Sequence, residues 1–259
     1  MGKSGDRIVN GKDATRGQFP FVVSLSMVYS GNIDHFCGGS IITKYWSLTA
    51  AHCLRASIEI LIKFNYIRLF GNSHNIHKNS IRHEIDCYKI HSEYDEFEVT
   101  NDIALIRVKQ SFDGNYEKII NRPPRNFKYV NHSQVTVMGW GRLWPKGSLP
   151  EVLQYVEVRL IDDKACQKIY NQCNGVRWRS NSEKGCVPGG SGGPLIQELK
   201  QGNVRYQYLI GLVSWGETCG SKFPGVYVRL TKYLDWMDNI MKKNNSGCKD
   251  KCITSRINT

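Results

Sequence analysis

Three residues lie in sequence surroundings that could support nucleophilic catalysis. His52 stands between small residues and a cysteine, Asp102 begins an apolar stretch at 103–105, and Ser191 lies among the glycines of 189–193. A histidine acts as a general base when a carboxylate fixes its tautomer and a nucleophile comes within hydrogen-bond reach. The sequence therefore predicts a serine nucleophile, Ser191, with His52 as its base and Asp102 as the group that orients the imidazole.

The glycines around Ser191 could also belong to a flexible linker or to a phosphate-binding loop. The linker is disfavoured because the flanking pairs Cys186-Val187 and Leu195-Ile196 are typical of ordered structure. The phosphate-binding loop is disfavoured because no Lys-Ser or Lys-Thr pair follows the glycines. Glycines would instead let backbone amides come close to the serine hydroxyl.

Cysteine usage indicates an oxidising compartment. The chain holds nine cysteines, which are spread widely rather than grouped as a zinc cluster. This pattern is typical of disulfide-bonded proteins and predicts a secreted, extracellular protein. A bridge between Cys37 and Cys53 would hold the loop of His52 rigid and would contribute ~3 kcal/mol in the chain-entropy model. The odd number leaves at least one thiol unpaired within the chain or bridged to another molecule.

The start of the chain gives no targeting signal of its own. Residues 1–7 lack the apolar core of a signal peptide, so we expect that a signal has been removed or that the chain is a fragment. No apolar run approaches the ~18 residues that a membrane-spanning helix needs. We therefore expect no membrane partner.

The elements that must position these residues follow an all-β pattern of the barrel type. Helical signal is confined to 162–170 and 233–243, where apolar residues of the second segment share one face. A polar, irregular stretch at about 109–130 predicts a connector between two halves of similar size. The predicted strands include residues 21–27, 67–70, 134–140, 152–161, 206–215 and 225–230.

Charge and histidine content suggest two further functions that we disfavour. The net charge is +12, but the basic residues are dispersed and do not cluster on a recognisable nucleic-acid reading element. The histidines at 74, 77, 83 and 91 match no tight zinc spacing, and their segment lacks the carboxylates of a calcium site. We therefore expect no metal, no cofactor and no nucleic-acid partner. Two glycosylation sequons begin at Asn131 and Asn244 and fit secretion.

On several ordered motifs the sequence resembles the trypsin and chymotrypsin family of serine proteases, from about residue 8 to residue 241. The resemblance implies two six-stranded Greek-key β-barrels packed together, with a C-terminal α-helix. It divides the chain into a remnant of an activation peptide at 1–7, a peptidase domain at 8–243 and a basic tail at 244–259. The motifs are those at 7–11, 49–53, 101–105, 139–141, 189–194, 214–216 and 224–227.

The resemblance also implies a role for each matching residue. His52, Asp102 and Ser191 would form the catalytic triad, and the amides of Gly189 and Ser191 would form the oxyanion hole. Residues that would bind substrate are Lys184, Gly185, Ser214, Trp215, Gly216 and Gly225. Activation would cleave between Arg7 and Ile8, as in a zymogen. The implied disulfides are Cys37–Cys53, Cys166–Cys173 and Cys186–Cys219, with no counterpart for Cys87, Cys248 and Cys252.

Three departures from the family pattern bear on activity. Gly190 stands where the family has the Asp that receives the ammonium group freed by activation, and Glu183 is a weak substitute. One extra residue separates Cys186 from Ser191. Either Lys184 or Gly185 lies at the base of the specificity pocket, depending on the alignment, and neither supplies the carboxylate that binds Arg or Lys in trypsins. We therefore expect a non-tryptic preference for the residue before the cleaved bond.

Two functions follow from these observations. The first is an active endopeptidase that acts on protein or peptide substrates, with protein inhibitors and an activating protease as further partners. The second is a catalytically weak homologue that binds or regulates, because the region of Gly190 cannot assemble the oxyanion hole. We favour the first because decay usually strikes the triad, which is complete. We expect a monomer, unless the odd cysteine bridges to another chain.

Overall fold

The computed structural model shows a protein built mostly of antiparallel strands. The predicted helix at 162–170 lies outside the described residues. Side chains are not described in the short segment at 177–180. The described residues are 11–54, 58–142, 148–161, 177–180, 190–215 and 225–244.

The N-terminal half forms a closed antiparallel barrel. A short first strand, which pairs outside this barrel, precedes its six strands. The strands of this half are β1 (Lys12–Asp13), β2 (Val22–Tyr29), β3 (Asn32–Ile41), β4 (Trp46–Thr49), β5 (Ile67–Gly71), β6 (Ile81–Ile90) and β7 (Ala104–Val108). Hydrogen bonds close the barrel in the order β2-β3-β4-β7-β6-β5.

The C-terminal half forms a second antiparallel sheet. Its strands are β8 (Gln134–Gly139), β9 (Gln154–Ile161), β10 (Arg177–Ser180), β11 (Pro194–Gln201), β12 (Val204–Trp215) and β13 (Val226–Arg229). Strand β8 pairs with both β9 and β11, so these six strands form a ring, and β1 adds to it beside β9. The all-β, barrel-type fold expected from the sequence is confirmed.

Local sequence explains why these strands form and turn where they do. The β2–β3 hairpin has a two-residue turn, Ser30-Gly31, with φ of 47° and 82°. Positive φ at both positions matches the twist of the flanking strands. In β9, Val156, Val158 and Leu160 are buried while the residues between them are exposed. This alternation places one face of the strand in the core.

Two α-helices are described, α1 (Ile58–Lys63) and α2 (Leu234–Lys243). The prediction for α2 is confirmed, but the prediction that helical signal is confined to two places is wrong, because α1 was not foreseen. Its six residues are too few to show a helical period, and its three isoleucines favour strands. The helix forms because Ile58 and Ile62, one turn apart, are buried against the barrel. Neither described helix is long and apolar enough to span a bilayer.

Three apolar clusters define the core of the part of the chain that the structure describes. One fills the first barrel, a second fills the C-terminal sheet, and the largest combines residues of both halves with Leu234 and Met237 of α2. Cys87 lies in that shared cluster and is disulfide-bonded, with a partner outside the described residues. The shared cluster holds the two halves together, and it includes Ile103, the neighbour of Asp102.

A buried ion pair fastens the segment after β7 to the first barrel. His83 Nε2 lies 2.8 Å from Glu117 Oε1, and the side chains are 1% and 0% exposed. The backbone amide of Gly114 donates to the second carboxylate oxygen at 2.8 Å. On its other side, His83 Nδ1 donates to the carbonyl of Gln110 at 3.3 Å. Both groups are thus provided with partners, which burial of ionisable groups requires.

Replacing Glu117 by leucine should lower the free energy of unfolding by about 3–5 kcal/mol, because buried His83 loses its acceptor. The matched control is Glu198→Ala. Its salt bridge to Arg205 is exposed on both sides, so its loss should change stability by less than about 1 kcal/mol. Urea unfolding measures both variants. Equal losses would contradict the role given to the buried pair.

Candidate active site

A buried carboxylate and a histidine form the centre of the site. Asp102 is 1% exposed. Its Oδ2 accepts a hydrogen bond from His52 Nδ1 at 2.8 Å, and its Oδ1 accepts from the backbone amide of His52 at 2.9 Å. Ser214 Oγ, from the C-terminal sheet, donates to Oδ2 at 2.5 Å. The carboxylate is therefore held from both halves of the molecule.

This geometry determines which ring nitrogen of His52 carries the proton. An ionised carboxylate only accepts hydrogen bonds, so Nδ1 must be the donor. The other ring nitrogen, Nε2, then has a lone pair and can accept a proton from a nucleophile. The side chain of His52 is 18% exposed, so a substrate can approach it.

The charge of Asp102 follows from its hydrogen bonds. Burial alone would raise the pKa of this carboxyl group, but the hydrogen bonds and charge of His52, together with the hydrogen bond from Ser214, hold the pKa below its usual value. Asp102 is thus ionised at neutral pH and stabilises positive charge on the imidazole.

Strand pairing brings these residues together. His52 lies in a 3-10 turn, Ala51–Leu54, directly after β4, and Asp102 lies just before β7. Strands β4 and β7 pair with Thr49 opposite Ala104, so the end of one strand meets the start of the other. A disulfide joins Cys53, the neighbour of His52, to Cys37 of β3. Together these links fix the histidine loop to the barrel.

The turn that carries Ser191 packs directly against the histidine segment. The carbonyl of Ser191 accepts a hydrogen bond from the amide of Gly38 at 2.7 Å, and the amide of Gly192 donates to Val213 of β12 at 2.8 Å. A Cβ at Gly192 would lie 2.6 Å from the carbonyl oxygen of Gly38, 3.0 Å from the amide of Ala50, and nearer still to Thr49 Oγ1. Glycine is therefore required for Ser191 to reach the end of the barrel at which His52 lies.

Gly190 is buried and takes part in this turn through its backbone. Its carbonyl accepts a hydrogen bond from the amide of Gly193 at 2.8 Å. It has no side chain that could receive a buried ammonium group. Among the described residues, the turn that carries Ser191 is thus held by backbone contacts to Gly38, to Val213 and between its own glycines.

Of the remaining predicted site residues, Trp215 and Gly225 lie in the part of the chain that the structure describes, and the others lie outside it. Trp215 ends β12 next to Ser214, opposite Val226, and Gly225 immediately precedes β13. These positions form two adjacent strand ends close to Asp102. Outside the described residues lie Arg7, Ile8, Cys166, Cys173, Lys184, Gly185, Cys186, Gly189, Gly216 and Cys219.

Two of the four histidines that we considered as metal ligands have other contacts. His83 bonds Glu117 in the buried ion pair of the first barrel. The ring of His91 packs against Tyr233 and Trp236, with ring centres 5.3 and 5.1 Å away. Burial lowers the pKa of His91, which favours its neutral form. These two histidines serve the packing of separate elements.

Sequence reasoning missed two features of the site. The hydroxyl of Ser214 bonds Asp102, although the motif at 214–216 indicated only contacts to substrate backbone. A cavity of ≈ 420 Å³ also opens beside His52, on the side of the Cys37–Cys53 disulfide. Its lining is mostly apolar and comes from the β2–β3 hairpin, the turn of His52, α1 and the start of β5. The lining residues are Met27, Asp34, His35, Phe36, His52, Cys53, Ile58, Leu61 and Ile67.

Fold and site together define a class of protein. An all-antiparallel molecule of two halves, with a carboxylate-bound histidine at their junction and a glycine-flanked serine in a turn that packs against the same end of the first barrel, has the arrangement that a Ser-His-Asp site would need. The chain belongs to the trypsin family, whose model, described as Trypsin, matches residues 8–237.

Individual relatives agree with this family. The chain is 34% identical over 250 residues to transmembrane protease serine 11C of Mus musculus, covering 90% of this chain and 53% of that protein. It is 32% identical over 245 residues to coagulation factor IX of Cavia porcellus, covering 89% and 80%. It is 31% identical over 248 residues to transmembrane protease serine 11B of Homo sapiens, covering 90% and 55%. The chain thus spans about half the length of the two transmembrane relatives.

Replacing Gly192 by alanine should disrupt the turn that carries Ser191. Gly192 and Gly31 both have positive φ, 75° and 82°, so alanine at either costs ~1–2 kcal/mol of backbone strain. Only Gly192→Ala adds a clash, because a Cβ at Gly31 has nothing within 4 Å. We expect Gly192→Ala to lose a further ~1–3 kcal/mol of stability, with active-site labelling at least ~10-fold slower. Equal stability and labelling in the two variants would refute this packing.

The hydrogen bond from Ser214 to Asp102 should make stability depend on pH. Because the pKa of Asp102 is lower in the folded state, its ionisation stabilises the fold above the unfolded value of ~3.9 and ceases to do so as pH falls. Ser214→Ala makes that pKa less depressed and should cost about 1–3 kcal/mol at pH 7. The difference from the parent protein should shrink as the pH falls through the lowered folded-state pKa, where Asp102 becomes protonated.

Ser47→Ala is the matched control for this measurement. Ser47 is also a buried serine, but its hydroxyl has no hydrogen-bond partner in the described part of the chain. Its removal should change stability little and equally at pH 7 and pH 3. A pH-independent loss in Ser214→Ala would contradict the coupling to Asp102.

Proposed function

We propose that this chain is a secreted serine endopeptidase that hydrolyses peptide bonds through an acyl-enzyme. The observation that carries this proposal is the buried Asp102–His52 pair. It leaves Nε2 of His52 as a base at the end of the first barrel against which the Ser191 turn packs. Membership of the trypsin family and the word protease in the names of two relatives support it.

In this mechanism, Ser191 Oγ attacks the carbonyl carbon of the peptide bond while His52 Nε2 takes its proton. Asp102 stabilises the resulting imidazolium. The imidazolium then gives its proton to the amine of the leaving segment, and an ester remains on Ser191. A water molecule, deprotonated by His52, attacks the ester, the bond to Ser191 Oγ breaks, and the imidazolium returns its proton to Ser191 Oγ as the acid is released. The amides of Ser191 and Gly189 would bind the oxyanion of both tetrahedral intermediates.

Gly190 supports a second candidate, a homologue with little turnover that binds or regulates. In the family, a carboxylate at this position receives the ammonium group that cleavage at Arg7-Ile8 would free. Here Gly190 is buried and contributes only a carbonyl group to Gly193. We propose that backbone contacts alone hold the oxyanion hole in place. In the second candidate, the oxyanion hole does not assemble and the triad does not catalyse hydrolysis.

The substrate preference that we propose has two parts. Before the cleaved bond, we expect a residue other than Arg or Lys, because neither Lys184 nor Gly185 offers a carboxylate. After the cleaved bond, the apolar cavity beside His52 favours an apolar side chain. Ser214 and Trp215, from the C-terminal sheet, would bind the acyl part of the substrate, and the cavity, which is lined by residues of the N-terminal half, would receive the leaving segment.

We also propose the domain boundaries, the location and the partners of this protein. The peptidase domain would extend over 8–243, with the zymogen cleavage site before it and a basic tail after it. The disulfide between Cys37 and Cys53 and the bonded state of Cys87 fit an oxidising, extracellular location. Protein or peptide substrates, protein inhibitors and an activating protease are the partners that this function implies.

A fluorophosphonate probe separates the two candidates. After cleavage at Arg7-Ile8, the probe should label the chain covalently, and Ser191→Ala should abolish the labelling. A peptide library then reads the preference on both sides of the cleaved bond. Failure of the cleaved, folded protein to label would favour the regulatory protein. Efficient cleavage after Arg would overturn the proposed substrate preference.

A further inference from the structure

The sequence holds two Asn-X-Ser sequons, and the structure places their asparagines in different surroundings. One begins at Asn131, in the turn just before β8, and the other begins at Asn244, at the end of α2. An oligosaccharide can be kept on a folded protein only where the asparagine side chain reaches solvent, because the glycan is large and strongly hydrated. The surroundings of the two residues are therefore decisive.

Asn131 is exposed on a tight surface turn. Its Oδ1 accepts a hydrogen bond from the amide of His132 at 3.0 Å, and that amide also bonds the carbonyl of Leu160 at 2.8 Å. The amide of Ser133 donates to the carbonyl of Val130 at 3.1 Å and closes the turn. Val130 is 60% exposed, so a glycan on Asn131 would lie next to an apolar side chain that is otherwise open to water.

Asn244 has the opposite surroundings. It caps the C-terminus of α2 and is 5% exposed. Its side-chain Nδ2 donates to the carbonyl of Ile240 at 2.8 Å, and its backbone amide donates to the same carbonyl at 3.2 Å. A sugar on Nδ2 would have to occupy the space in which this cap is packed. Modification at Asn244 is thus incompatible with the folded helix end.

We propose that Asn131 is an N-glycosylation site and that Asn244 is not. In the reaction, the Asn131 side-chain nitrogen attacks the anomeric carbon of an oligosaccharide carried on a lipid diphosphate. A C–N bond forms, the C–O bond to the diphosphate breaks, the nitrogen loses one proton and the lipid diphosphate leaves. The inference rests on the proposed passage through the secretory pathway, and it does not depend on catalysis.

The position of Asn131 leaves the catalytic site open. Strand β8 runs from this turn to Met138, whose carbonyl lies against Gly193 in the turn of Ser191. With a rise of ~3.4 Å per residue, the four steps from Gln134 to Met138 alone span ~14 Å. A glycan at the start of β8 therefore lies at the end of the strand remote from Ser191. Its removal should leave substrate cleavage unchanged.

Secretion of the full chain from eukaryotic cells, behind a cleavable leader that directs it to the endoplasmic reticulum, tests the proposal. Treatment with peptide N-glycosidase should lower the mass of the secreted protein by one glycan. Peptide mass spectrometry should find aspartate at 131 after treatment and unmodified asparagine at 244. This measurement uses the unaltered chain, so it does not depend on whether any variant folds.

Variants give the matched controls. Asn131→Gln and Ser133→Ala should lose the mass shift completely, Ser133→Thr should keep it because threonine also completes the sequon, and Asn244→Gln should keep it. Secreted protein with bare Asn131, or with its glycan on Asn244, would overturn the proposal. Fluorophosphonate labelling of the same material reports separately on catalysis. A glycosylated chain that the probe does not label would therefore count only against the proposed endopeptidase activity. A chain that the probe labels but that carries no glycan on Asn131 would count only against the proposed glycosylation site.

Discussion

The carboxylate of Asp102 is the group on which the arrangement of the site depends. It is almost fully buried, and an ionised group in that position costs several kcal/mol unless donors surround it. Two donors come from His52 in the first barrel and one comes from Ser214 in the C-terminal sheet. The charge is therefore stable only when the two halves are docked. The same hydrogen bonds leave Nε2 of His52 as the free base, so folding itself selects the tautomer of the His52 ring.

Close backbone approach is the second constraint. Gly38, Gly192 and Gly193 lie where the Ser191 turn meets the first barrel, and a Cβ at any of them would lie 3.0 Å or less from backbone or side-chain atoms of its neighbours. Glycines thus let a turn of the second half pack closely against β3 and the end of β4 in the first. Gly190 belongs to the same turn. It differs from the other three glycines because the resemblance to the trypsin family predicts a charged side chain at its position. Backbone contacts would have to replace that charge if the enzyme is to be active.

Much of the fold was predictable because its signals are local. Apolar and polar residues alternate along β9, and apolar residues share one face of 233–243, which marks α2. The short helix α1 was not predictable, because its six residues, three of them isoleucine, become helical only through burial of Ile58 and Ile62. The link from Ser214 to Asp102 was missed for a related reason. It joins residues 112 positions apart, and no pattern within one segment reports a contact of that kind. The cavity beside His52 is likewise formed by segments that meet only in the folded barrel.

Nitrogen NMR of the histidine rings tests the central claim most directly. In the folded protein, the ¹⁵N shifts of the neutral His52 ring should show a proton on Nδ1 and a lone pair on Nε2, because Asp102 can only accept. Replacement of Asp102 by asparagine, whose amide can donate to the ring, should move the proton to Nε2 while the fold persists. A proton on Nε2 in the parent protein, or the same tautomer in both proteins, would contradict the account.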